Sequence, residues 1–167
     1  MRKILLALLI AYPCFSHAWF HLEPAIGYNK GQFDSNALSG IGLDLRVGFD
    51  IKEIFIVGDI GYHNVQQGSI SSVTYTDQGA TIGINLQKYR MWYGLITSSS
   101  FTYTNSGTTT TETGTGSKLG VSAEIGNSVY INLETRFVNY TNLTVGSTAS
   151  TPTDLGTVGY LSISYVL

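Results

Sequence analysis

From Phe20 onward the apolar residues take every second place, and this period constrains the fold more than any other feature. Phe20, Leu22, Ile26 and Tyr28 share one face of the first segment, and Ile41, Leu43, Leu45, Val47 and Phe49 share one face of the second. Ile54, Ile56, Ile60 and Tyr62 do so in the third, and Ile82, Ile84 and Leu86 in the fourth. The fifth runs through Tyr89, Met91, Tyr93, Leu95, Phe101 and Tyr103, and the sixth through Leu119, Val121, Ala123 and Ile125. Val129, Ile131, Leu133 and Phe137 mark the seventh, and Leu161, Ile163, Tyr165 and Leu167 the last. Ten charged residues fall inside these segments: Glu23, Asp44, Arg46, Asp59, Asp77, Arg90, Lys118, Glu124, Glu134 and Arg136. All ten lie opposite the apolar set, which random parity would achieve roughly once in a thousand trials. The chain therefore reads as eight strands with two chemically distinct faces.

Composition supports strands and turns. Charged residues make up 12% of the chain, against about 25% in ordinary soluble domains. Glycine (19) and tyrosine (11) are abundant. The net charge of −2 and the lack of any Lys/Arg cluster exclude a nucleic-acid partner. Residues 1–18 read as a cleavable export signal: basic Arg2 and Lys3, an apolar stretch Ile4–Tyr12, and small residues at Ser16 and Ala18. Cleavage is expected after Ala18, so the mature domain is 19–167. Cys14, the sole cysteine, lies in the signal behind Pro13, a context that does not fit lipidation. No disulfide is expected in the mature chain.

The connections alternate in length. "DIKE" (50–53), "KY" (88–89) and "GNS" (126–128) are tight turns, whereas four other connections are long, polar and rich in Gly, Ser and Thr. Such asymmetry describes an up-and-down meander. About 9–11 residues of tilted strand cross a bilayer, and only a closed barrel satisfies every backbone group there. A soluble ligand-binding barrel of the periplasm would instead hide the apolar face. Two expected aromatic rings favour the membrane: Tyr28, Tyr62 and Tyr103 at one end, Phe20, Phe49, Tyr89 and Tyr165 at the other. The fold class is all-β, an eight-stranded antiparallel up-and-down transmembrane β-barrel behind a signal peptide.

With these features the chain resembles the small eight-stranded outer-membrane barrels of the OmpA/OmpX type. The likeness is one of architecture over the whole mature chain. It implies export through the general secretory pathway to a bacterial outer membrane, surrounded by its lipids and lipopolysaccharide. In that family the barrel-assembly machinery reads alternate apolar residues at the end of the last strand. Leu161, Ile163 and Tyr165 match this signal, and Leu167 stands where the family has Phe.

Eight strands leave an interior just wide enough for side chains, so the ten charges are expected to plug it, with Glu23 paired to Arg46. A narrow pore is the alternative. Lipid-A-modifying enzymes also occur on this scaffold and use a His with a Ser and a carboxylate. The nearest set here is His63 and Asp77, expected at the outer rim, with Ser69, Ser71 or Ser72 in the loop between. The deacylase spacing His-x-Ser is absent, because Asn64-Val65 follows His63. His21 has no neighbouring His or Cys, and no dinucleotide, phosphate-loop or Ca²⁺-loop motif occurs, so neither metal nor cofactor is expected. The Thr-rich stretch 107–117 reads as a flexible surface tip. The reading that fits is a non-enzymatic envelope protein, serving membrane integrity or adhesion to a host or surface ligand through four long loops.

Overall fold

The computed structural model of the protein describes residues 18–68, 70–105, 107–152 and 154–167. The expected export signal lies outside the described residues apart from Ala18, which opens the first strand. The described residues form nine strands: β1 Ala18–Phe33, β2 Asn36–Ile51, β3 Ile54–Gln67, β4 Ile70–Leu86, β5 Tyr89–Asn105, β6 Thr108–Gly126, β7 Val129–Val145, the short β8 Thr148–Ser150 and β9 Asp154–Tyr165. Neighbours pair antiparallel in chain order; β6 also pairs with β7, and β9 pairs with both β7 and β1. The sheet thus closes on itself as an eight-stranded barrel, with β8 an appendage to the end of β7.

Closure through β9 runs in one register from Ala25↔Ser164 to Phe33↔Gly156. Below it, the Leu167 amide donates to the Leu22 carbonyl at 3.0 Å. At the inner end, where Ala18 and Leu167 lie, residues 52–53, 87–88 and 127–128 separate the strands. Asn127 and Ser128 both take positive φ (32° and 68°), as a two-residue turn between right-twisted strands requires. Lys52 (57°) and Gln87 (55°) do likewise, and Tyr89 belongs to β5 rather than to its turn.

At the outer end the four segments expected as long loops are mostly strand. β1 and β2 stay paired up to Phe33↔Asn36, and β5 and β6 up to Asn105↔Thr108. Of the stretch 107–117, expected to be flexible, residues 108–117 form the outer half of β6, paired on both sides as far as Thr110↔Val145. β6 has 19 residues, roughly 60 Å of chain at about 3.3 Å each. That is well beyond the membrane requirement, so the barrel wall continues above the bilayer as polar ribbons.

The two faces separate sharply. Ile26, Ile41, Ile60, Leu95, Leu133 and Leu161 lie on the outer surface, each more than half exposed. Tyr28, Tyr62, Phe20, Phe49, Tyr89 and Tyr165 are exposed as the aromatic rings require. The buried set is largely polar and charged, so this barrel is inside-out relative to a soluble protein.

Phe101 and Tyr103 break the expected pattern. Phe101 is buried and Tyr103 half-buried, packed on the interior. The cause is a bulge: Ile96 pairs with Gly79 and Ser98 with Gln78, so Thr97 is an extra residue in β5. One added residue sends every later side chain to the opposite face. Tyr103 therefore leaves the outer aromatic ring.

Candidate functional site

The barrel interior holds three layers. The lowest is a charged network. The carboxylate of Glu23 accepts from Arg90 at 2.8 and 3.1 Å, from Ser164 Oγ at 2.6 Å and from Arg46 at 3.4 Å. Glu23 and Arg46 are register partners on β1 and β2, yet Arg90, from across the barrel on β5, is the closer cation. Arg46 reaches on to Glu134 at 2.7 Å. Glu134 also accepts from Trp92 Nε1 and Arg136 Nε, each at 2.7 Å. Lys118 and Asp59 pair separately at 2.6 Å, with the Thr81 hydroxyl also donating to Asp59.

Glycines admit the large rings of this layer. The Trp92 ring fills the space that a Cβ on Gly120 would occupy, and the Phe55 ring does the same at Gly83. Any side chain at either position meets an aromatic face.

Arg136 is the hub of the middle layer. It is 1% exposed. Its guanidinium donates to Asp44 and Asp77 at 2.7 Å each, to Tyr75 Oη at 3.1 Å and to His63 Nε2 at 2.6 Å. It also lies 4.8 Å from the centre of the Tyr160 ring. A guanidinium can only donate, so His63 Nε2 is held as an acceptor. Asp44, His63 and Asp77 offer ligand atoms within 4.8 Å of one another, a spacing compatible with a metal ion. The guanidinium already supplies the positive charge at that point, so the trio works as an Arg136 cradle and a metal would have to displace it.

The expected rim placement of His63 and Asp77 is not what the structure contains. Both are buried in the middle layer, beneath Val65 and Val73. The cause is strand length: β3 and β4 continue past them to Gln67 and Ile70, so the rim lies farther out. Ser71 and Ser72 sit five or more residues above Asp77 along β4, and Ser69 lies outside the described residues. Ser99, the register partner of Asp77, bonds instead with Tyr140 Oη at 3.1 Å.

Of the ten charges singled out from sequence, Glu23, Asp44, Arg46, Asp59, Asp77, Arg90, Lys118, Glu134 and Arg136 are buried. Glu124 departs: it is half-buried at the inner end and accepts from the Ser128 amide at 3.2 Å. A register shift between Glu124 and Gly126 places it beside the turn rather than in the network.

The third layer is apolar, and periodicity did not reveal it. Phe33 and Phe101 stack at 3.9 Å with their planes 3° apart, and Tyr140 meets Phe33 edge-on at 4.9 Å. Leu38, Val65, Val73, Ile96, Val138 and Val158 complete the lid. The cavity left between lid and Arg136 is about 10 Å³, room for one water at most. Phe33, Leu38, Val65 and Val73 share the inward parity of the charges on their strands, but polar neighbours hide the pattern.

Above the lid, Glu112 points inward from β6, 4% exposed, with Oε2 lacking any hydrogen-bond partner. Burial, and then the adjacent Asp154 carboxylate, push its carboxyl up to about 7.

No protein-family model and no curated relative matches the chain by sequence. Solved structures do match. Neisserial surface protein A aligns with a TM-score of 0.60 at 16% identity, covering 90% of this chain and 97% of that one. Ail, the attachment invasion locus protein of Yersinia pestis, aligns at 0.61 and 11%, covering 88% and 98%. OprG of Pseudomonas aeruginosa aligns at 0.53 and 10%, covering 90% and 97%. The fold is that of the small outer-membrane barrels. An exposed apolar belt around a closed barrel with a charged interior is the form in which strands span an outer membrane, and the protein is an outer-membrane barrel.

Proposed function

We propose that this barrel is a non-enzymatic surface protein whose polar outer ribbons make contact with material outside the cell. The observation that carries the reading is the filled interior. Ion pairs occupy its lower part, and the stacked Phe33–Phe101 lid covers them. The reactive groups His63 and Asp77 are locked by Arg136 beneath that lid. The surface left for recognition is the outer ribbons, built from Thr, Ser, Asn and Gln. The attachment role in Ail's name lends this reading support by likeness of fold alone.

Charge narrows the contact. Among the described residues Lys30 is the sole exposed base toward the outer end, against Asp34, Asp154 and Glu112. Ail has been crystallised with a heparin analogue, sucrose octasulfate; the acidic outer end here does not suit a polyanion. Neutral or cationic surfaces fit it better.

Two measurements test the proposal. The purified barrel in planar bilayers should give no conductance steps; regular single-channel steps would favour a pore. Cells displaying the barrel should adhere to a cationic or neutral polymer surface, and should lose most adhesion when residues 104–109 and 146–150 are replaced by two-residue turns. Unchanged adhesion in a variant that still reaches the cell surface would refute it.

A further inference from the structure

Below the lid every buried carboxylate has a cationic partner, and at the outer mouth one does not. Glu112 faces inward from β6, with Phe101 and Leu143 as its register partners on β5 and β7. Its carboxyl is in contact with that of Asp154 at the start of β9. Asp34, in the β1–β2 turn, adds its charge from farther off; that turn is tied to β9 by the Asp34 amide donating to the Leu155 carbonyl at 3.3 Å. Tyr140 on β7 is the other titratable group facing Glu112. No base faces the trio among the described residues. Arg46, Arg90, Lys118 and Arg136 are engaged below the lid, and Lys52 and Lys88 lie at the inner turns. Lys30 is exposed on β1, where outward residues alternate with the buried Asn29.

A buried carboxylate oxygen without a donor is costly, and natural structures leave few of them. Glu112 Oε2 is such an atom. We propose that the outer mouth binds a divalent cation of the Ca²⁺/Mg²⁺ class between the carboxylates of Glu112 and Asp154, with Asp34 contributing the third negative charge. Oxygen donors without His or Cys suit a hard cation and not a transition metal. The stacked Phe33 and Phe101 rings close the site from below, so the ion enters from outside. Bound there, it would join β6 to β9. Few charged ligands place its affinity in the weak range of extracellular calcium modules, about 10⁻⁴–10⁻³ M.

The test uses the full mature barrel refolded into discs of zwitterionic lipid, which contribute little cation binding of their own. Terbium luminescence with Ca²⁺ or Mg²⁺ competition, together with melting temperature against Ca²⁺, reads the site. At pH 8 one saturable Ca²⁺ site per chain and a raised melting temperature are expected. At pH 5.5 affinity should fall at least tenfold, because a proton on Glu112 competes. Glu112→Gln and Asp154→Asn should each weaken binding about tenfold or more, while Glu53→Gln at the inner turn should not. No saturable binding up to about 10 mM, or equal binding by E112Q and the unmodified chain, would overturn the proposal. So would a calcium-independent gain in stability from E112Q in a chain that binds no ion, since the pair would then only share a proton.

Discussion

Arg136 offers the sharpest test of how the interior is held together. Arg136→Met keeps much of the side-chain volume and removes the charge. Asp44 and Asp77 each lose a 2.7 Å partner, whereas Glu134 keeps Arg46 and Trp92. Stranding one buried charge costs about 3–5 kcal/mol. Two stranded carboxylates set an upper bound of about twice that, lowered because close carboxyls take up a proton. The expected loss is about 4–7 kcal/mol at pH 7. Urea unfolding from lipid vesicles measures it, read by tryptophan emission; Trp92 donates to Glu134 in the same network and reports the break directly. The triple variant R136M/D44N/D77N removes charge and counter-charge together and should return to within about 2 kcal/mol of the original. A loss under about 1 kcal/mol for R136M would mean that water screens the network, which the burial of Arg136 forbids. A triple variant as unstable as the single one would show that guanidinium shape, not charge balance, is what matters.

The outer mouth gives a pH dependence of definite sign. The Glu112 carboxyl is raised from 4.5 to about 7, so the folded state holds the proton more tightly than the unfolded one. In chelator, its stabilising contribution should be full below about pH 4.5 and should fade as pH rises through about 7; thermal melts should follow that fall, and E112Q should flatten it. Deleting Thr97 removes the β5 bulge. Phe101 must then leave the lid or β5 must slip against both neighbours, so a loss of at least about 3 kcal/mol is expected, read as a lower urea midpoint; an unchanged midpoint would show that the bulge does not set the parity. Gly120→Val should push Trp92 off its seat and cost about 2 kcal/mol or more, with a red-shifted Trp92 emission as the check.

Much of the wall was legible because period two is a local property. Ile41 to Phe49 and Asp44 to Arg46 announce their faces within one strand, whatever the strand pairs with. The bulge at Thr97 was not legible, because an extra residue is defined only against the register of β4 and β6. Phe101 was therefore assigned to lipid although it closes the lid. The outer half of β6 was silent for a different reason: Thr109, Thr111 and Thr113 give no apolar marks by which to phase Glu112. The rim placement of His63 and Asp77 failed because β3 and β4 continue far past their apolar stretch.

By itself the sequence determined strand identity, the number of barrel strands and the sign of each face, since these follow from residue spacing along one chain. The tertiary structure alone decided which charges meet. Glu23 finds Arg90 across the barrel, and Arg136 gathers Asp44, His63 and Asp77 from three other strands. Those meetings depend on shear and closure, which set height and angle around the barrel and leave no mark in any single strand.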